Sequence, residues 1–243
     1  MLPWRTSLTW VLLVSGQIPL HAADQGPVFR GQNYLALLPA AGKPCRVELH
    51  SQQISKLYTD ELQANLIGPD SAVVLQVRPA LGQSQALSFA PKAGLHVLEL
   101  SAGSNACTVD VADTPAAMVA SQRVPMQTCR ELQRLYFAVP QGCKRFQITL
   151  VAEAPAEGAR LEVFAPAGET VVADEGNYDK PTAIRVDVSK GSDAKTWSLA
   201  VLRPKSREFH LDDVKLWLDP ALPPYLALRA DWAEQFGKRW TAK

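Results

Sequence analysis

The chain lacks the short motifs that announce a catalytic centre: it has no Gly-x-Ser-x-Gly elbow, no His-Glu-x-x-His pair and no glycine loop built to cradle phosphate. These absences remove the local signatures of serine hydrolases, zinc proteases and nucleotide-binding enzymes. A catalytic set gathered from distant positions stays open, because such sets are defined in space and not by chain order. There is no excess of charge of one sign either. With 25 Lys and Arg against 24 Asp and Glu the formal charge is +1, so the concentrated basic face that nucleic acid requires is missing. No two cysteines form a Cys-x-x-Cys pair, and no histidine stands at ligand spacing from a cysteine, which argues against a zinc site. Finally, no apolar run is long enough for a bilayer, which needs about 20 such residues.

The one apolar run that does stand out is LTWVLLVSGQIPL, interrupted by Ser15, Gly16, Gln17 and Pro19. It follows Arg5 and ends near the small residues of HAAD, the layout of a cleaved secretory signal peptide over residues 1–23, cut after Ala22 or Ala23. The mature protein is therefore expected outside the cytoplasm, periplasmic or secreted, with no transmembrane segment. In that compartment an even number of cysteines reads as disulfides. Of the three pairings open to Cys45, Cys107, Cys129 and Cys143, Cys45 with Cys107 and Cys129 with Cys143 fit the domain boundary drawn below.

Short alternating runs bounded by Gly, Pro, Asp or Ser recur throughout: CRVELH, AVVLQVRP, ALSFAP, LHVLELSA and CTVDVAD, then RLYFAVP, KRFQITLVAE, AIRVDVS and KTWSLAVLRP. This is the pattern of antiparallel sandwiches, and the expected fold is all-β, two tandem jelly-roll-like sandwiches followed by a short C-terminal helix. QANLIGPDSAVVL and ARLEVFAPAGETVVA share one strand-turn-strand layout, Pro69 matching Pro166 and Val73-Val74 matching Val171-Val172. A tandem copy of one architecture would explain this, although hairpin turns also converge. The Ala- and Pro-rich stretch 112–128 breaks the alternation, so the domains are drawn as 24–118 and 119–243. In RADWAEQFGKRW, Trp232, Phe236 and Trp240 recur at helical spacing in a terminal helix that Gly237 weakens, and Trp232 and Trp240 are expected to clamp it to the sandwich.

Candidate binding residues are few. The loop ADEGNYDKP offers Asp174, Glu175 and Asp179 as oxygen ligands for calcium, the one cofactor the sequence suggests, and Asn177, Tyr178 and Asp179 as contacts to a sugar. A plain polar connection is the competing reading. Trp217 alternates with Lys215 and Asp219, which places it on a polar face as a binding platform, whereas Trp197 alternates with Leu199 and Val201 and belongs to a core. In HLDDVKLW, Asp212 and Asp213 should point to opposite faces of a strand, leaving His210 and Asp212 together as a metal pair or as a solvated edge.

Tyr136, Phe137, Val139, Pro140 and Gly142, then Lys144, Arg145 and Phe146, then Trp197, Ser198 and Leu199, and finally Pro223 to Ala227 follow one another as landmarks. In that order they resemble a galactose-binding-like, carbohydrate-binding-module-like jelly roll of secreted bacterial proteins. The resemblance covers residues 128–228 and implies a fold more than a ligand, since function sits in loops grafted onto folds. In that family a small polar residue usually stands where Cys143 does, and a Cys129–Cys143 clasp would tie the domain's first segment to its hairpin. The combined expectation is a non-catalytic exported binding protein that recognises carbohydrate or a cell-envelope component. Docking onto another envelope protein is the alternative, and a polysaccharide hydrolase or lyase with scattered catalytic residues stands behind both.

Overall fold

The computed structural model describes residues 26–152 and 154–240; the signal peptide expected over 1–23 lies outside them. Six strands form the first half: β1 (Val28–Leu37), β2 (Cys45–Gln52), β3 (Gln63–Ile67), β4 (Val73–Val77), β5 (Ser84–Phe89) and β6 (His96–Val111). Two short strands follow, β7 (Ala116–Val119) and β8 (Met126–Cys129). The second half runs through β9 (Leu132–Val139), β10 (Arg145–Val151), β11 (Ala159–Phe164), β12 (Thr170–Gly176), β13 (Thr182–Asp187), β14 (Lys195–Leu202), β15 (Asp213–Leu218) and β16 (Tyr225–Ala227), and ends in helix α1 (Ala230–Arg239). Period-two alternation drives the strands: in β2 Cys45, Val47, Leu49 and Ser51 are buried while Arg46 and Glu48 face out, and in β10 Phe146, Ile148 and Leu150 point inward.

Two antiparallel layers result. One runs β4-β3-β6-β1-β7-β16-β9-β14-β11-β12, the other β5-β2-β6-β1-β8-β15-β10-β13. They meet in an aromatic chain in the second half, where Phe146 of β10 sits edge-on between Phe137 of β9 and Trp197 of β14, at 5.6 and 5.5 Å between ring centroids. Strands β1 and β6 belong to both layers. Phe29 pairs with β8 while Leu35 to Leu37 pair with β7, and likewise Val97 to Ser101 pair with β3 while Ala106 to Val111 pair with β2.

Both strands change layer by the same device. Gly31 and Gly103 take φ values of 65° and 56°, a left-handed conformation that glycine adopts without strain. A side chain would also crowd its surroundings, since a Cβ would lie 2.6 Å from Asp60 at Gly103 and, at Gly31, 2.5 Å from Gln127 Oε1, whose amide would have to move. Two residues later each strand carries a wholly buried asparagine, Asn33 and Asn105. Asn33 Nδ2 donates to the carbonyls of Arg30 (2.8 Å) and Gln127 (3.1 Å), and its Oδ1 accepts the Gln127 N–H at 2.9 Å. Asn105 does the same for the loop before β3, donating to the carbonyls of Tyr58 and Asp60 and accepting the Ile54 N–H. Where the kink interrupts the ladder, the amide side chain supplies the missing partners.

The two halves repeat one topology. The wide layer reads β4-β3-β6-β1 from one end and β12-β11-β14-β9 from the other, and the β7–β16 pair joins them. The hairpins matched in sequence also match in detail. Each has a register shift before its turn, the turn bonds are Gly68 N–H to Ala72 O and Ala165 N–H to Glu169 O, and Ser71 and Gly168 both have positive φ. The boundary expected at residue 118 falls inside β7, which bonds β1 on one edge and β16 on the other, and one continuous core spans both halves. Alternation fails there because Ala116, Ala117 and Met118 are all fully buried; a strand covered on both faces has no reason to alternate. Part of that cover is α1, which contacts β7, β9, β14 and β16 and buries Trp232, Ala233 and Phe236. Gly237 is there to let the helix approach, since a Cβ would lie 2.6 Å from that of Ala138.

The expected disulfides are corrected: all four cysteines are free. Cys107 lies opposite Ser51, six residues along β2 from Cys45, a separation of about 20 Å at strand rise. Cys129 lies opposite Asp213 near one end of β10, and Cys143 precedes the other end, which puts about 20 Å or more of strand between them. Bridged cysteines need Cα atoms within about 7 Å. Sequence spacing could not show that each pair sits at opposite ends of a strand.

Two expected outcomes follow from this framework. Asn33→Ala leaves the Gln127 N–H without its partner at a buried kink and should destabilise the fold by about 3 kcal/mol, read from urea unfolding. Thiol labelling of the native protein should modify the partly exposed Cys143 first. Cys45, Cys107 and Cys129 should react only on unfolding, the Cys107 thiol being pushed up to about 12 by burial. Fewer than four titratable thiols in the unfolded, unreduced chain would contradict this arrangement.

Candidate functional site

The seam between the halves gathers charge. The kink at Gly31 presents Arg30, β8 contributes Gln127, β15 begins at Asp213 directly after Asp212, and the turn before β11 carries Glu157. That turn is tied to the segment before β15 by two backbone bonds, His210 N–H to Ala156 O at 3.0 Å and Gly158 N–H to His210 O at 2.9 Å. Carboxylate oxygens of Glu157, Asp212 and Asp213 thereby come within 4.8 Å of one another. Arg30 Nη1 lies 3.3 Å from Asp212 Oδ2 and 3.8 Å from Asp213 Oδ2, and Gln127 Nε2 donates to Asp213 Oδ2. Burial opposes the charge on Arg30, but Asp213 and Asp212 outweigh it and hold the guanidinium more firmly protonated than usual. Glu157 is 8% exposed, and its Oε2 has no hydrogen-bond partner. Burial, then the neighbouring Asp213 and Asp212, raise its carboxyl above the ordinary range. A cavity of about 260 Å³ opens beside it, lined by Gln127, Val151, Ala154, Glu157, Asp213 and Lys215. Oxygen-only donors of this kind suit a hard cation.

A larger groove lies at the helix. The Pro140–Gln141 turn, the start of β14 and the last turn of α1 enclose about 690 Å³, with Pro140, Lys195, Pro223, Lys238 and Trp240 among its walls. A second hollow of about 440 Å³, bounded by Arg123, Asp219 and Pro220, shares Trp240. The indole is half-buried, and the two hollows meet at it.

The residues singled out by sequence are dispersed. Tyr178, expected as an exposed stacking ring, is buried. Its hydroxyl donates to Asp174 Oδ2 at 2.7 Å, and burial followed by that bond raises its pKa. The left-handed turn at Tyr178 (φ 47°) folds the ring inward, which the polar run around it conceals. Glu175 accepts the Lys205 and Ser206 N–H groups at 2.8 Å each, which hold its carboxyl below the ordinary range. Asp174 and Glu175 are adjacent on β12, opposite Leu161 and Arg160, and so face opposite ways. Asn177 and Asp179 are exposed. Trp217 is half-buried on the outer face of the narrower layer, in register with Thr149 and, beyond it, Ala183. Trp197 is core, its Nε1 donating to Ser192 O at 2.8 Å.

Of the His210–Asp212 pair only Asp212 joins the acidic cluster. Asp212 and Asp213 do not diverge as two strand residues would, because Asp212 precedes β15, and both reach Arg30. Glu157 escaped the sequence reading, since no local pattern links it to residues 212 and 213; only the strand pairing brings them together. The helical spacing of Trp240 places it in the clamp, but Trp232 and Phe236 are the residues the helix buries and Trp240 stands past its end.

No protein-family model matches the chain, and no curated protein matches it. Among solved structures it is similar to the ANX2 ectodomain from Arabidopsis thaliana (8% identity, 79% of this chain and 82% of that one, TM-score 0.25). It is also similar to the STIV MCP (10% identity, 87% and 96% covered, TM-score 0.23). TM-scores this low carry no argument about function.

Tyr178→Phe removes only the bond to Asp174 and should cost about 1 kcal/mol of stability, read from urea unfolding. Unchanged stability together with lost sugar binding would return Tyr178 to the role of a ligand contact.

Proposed function

We propose that the chain is a non-catalytic exported binding protein, periplasmic or secreted, that recognises carbohydrate or a cell-envelope component in the groove at Trp240. Within this reading the second half is a galactose-binding-like module, on the residues from Tyr136 to Ala227 that resemble one. The groove is the observation that carries the proposal. Its volume of about 690 Å³ falls in the range of small-ligand sites, and its lining combines apolar residues with a few polar ones. A half-buried indole can take the apolar face of a sugar ring, and Gln141, Lys195, Glu234 and Lys238, which line the same groove, are polar groups of the kind that bond its hydroxyls. Export rests on the pattern of residues 1–23, and no helix among the described residues is long and apolar enough to cross a membrane.

Docking onto another envelope protein is the second reading, and the outer strands of the wide layer favour it. Val73 and Val74 on β4 and Val171 on β12 are exposed at 56%, 48% and 39%, and apolar edge strands invite pairing. Calorimetric titration of the mature chain with a panel of soluble glycans separates the two. The groove predicts binding that Trp240→Ala weakens at least tenfold with melting unchanged. Absence of binding to any glycan by the folded chain would sink the carbohydrate reading, and capture of an envelope protein lost in Val74→Lys would establish the other.

A further inference from the structure

We propose that Glu157, Asp212 and Asp213 bind one divalent hard cation, calcium by coordination preference, at the seam of the two halves. The proposal is independent of the Trp240 groove. Three carboxylates within 4.8 Å of one another repel unless something positive stands between them. Arg30 reaches Asp212 and Asp213, and Lys215 lines the adjoining cavity, but neither gives Glu157 Oε2 a hydrogen bond. Glu157, whose carboxylate belongs to the cluster, keeps a buried Oε2 without a hydrogen-bond partner. Buried polar atoms without a partner are rare in folded proteins, and an ionised one is costly to keep. A cation held between Glu157 and the two aspartates would satisfy that oxygen and offset the repulsion together.

The donor set points to the class of ion. All three ligands are carboxylate oxygens, which favours calcium, magnesium or manganese over softer metals. Magnesium requires near-regular octahedral geometry, whereas calcium accepts six to eight oxygens in irregular arrangements and fills open positions with water. The adjoining cavity of about 260 Å³ has room for such waters. The ligands also come from segments far apart in sequence that are already held together. The turn carrying Glu157 is bonded to His210, Arg130 N–H bonds Asp212 O, and β15 pairs with β8 beside Arg30 of β1. A preformed site of this kind would fasten the turn before β11 to the start of β15, beside Arg30 of the first half.

The rival occupant of the cluster is a proton on Glu157, shared with an aspartate, and the two are separable. Calcium titrated into the metal-stripped mature chain should bind at one ion per chain by calorimetry. It should also raise Tm by about 5–10 °C at a hundred times Kd. Glu157→Gln should weaken binding at least tenfold, and Asp212→Asn, at a partly exposed position, should do the same if the first variant folds poorly. Magnesium at equal concentration should give a smaller shift. No calcium heat with the folded wild type, undiminished binding by both variants, or a Glu157→Gln chain that melts higher than an unresponsive wild type would overturn the site. A magnesium response equal to that of calcium would overturn the assignment of the ion.

Discussion

The buried amide of Asn33 is the contact on which the rest of the molecule depends. A strand that leaves one layer for another must break its hydrogen-bond ladder, and the broken groups here are sealed away from water. The Asn33 side chain meets two carbonyls and one N–H at that point, so β1 can serve both layers without orphaned backbone. Asn105 repeats the solution on β6. With both strands crossing, the layers of the first half are continuous with those of the second, and the open edges that each half would present alone are closed by β7, β8 and β16.

This seam explains where the charge lies. At the Gly31 kink β1 turns outward from one layer and brings Arg30 beside β8, just where β15 begins. Acids that are remote in sequence converge there because the turn before β11 bonds the segment before β15, and Glu157 keeps a buried oxygen that Arg30 does not reach. The Trp240 groove arises separately, from a helix laid across four strands of the wide layer. Gly237 lets α1 come close enough to seal its apolar face, and the indole just past the helix end is left between two hollows.

Legibility followed the range of the interactions. The hairpins at residues 63–77 and 159–176 and the burial of Trp197 were readable because turn chemistry and alternation act over a few residues. The repeated Gly-x-Asn at 31–33 and 103–105 carries the kink in the sequence itself but does not stand out there, since short polar residues in strands usually read as edges. Tyr178 misled for a local reason, its left-handed φ turning an apparently exposed ring inward. The cysteines misled for a global one, because an even count says nothing about which ends of which strands they occupy.

What the sequence determined alone was therefore the class and its units: antiparallel strands, their inward faces, the paired hairpins and a terminal helix with one apolar stripe. Tertiary structure decided how the copies join, whether the cysteines meet, and which acids share a site. The physical reason is that alternation and turn preference are properties of neighbouring residues. Register between strands a hundred residues apart is set by burying both layers at once and by satisfying every backbone group along the seam.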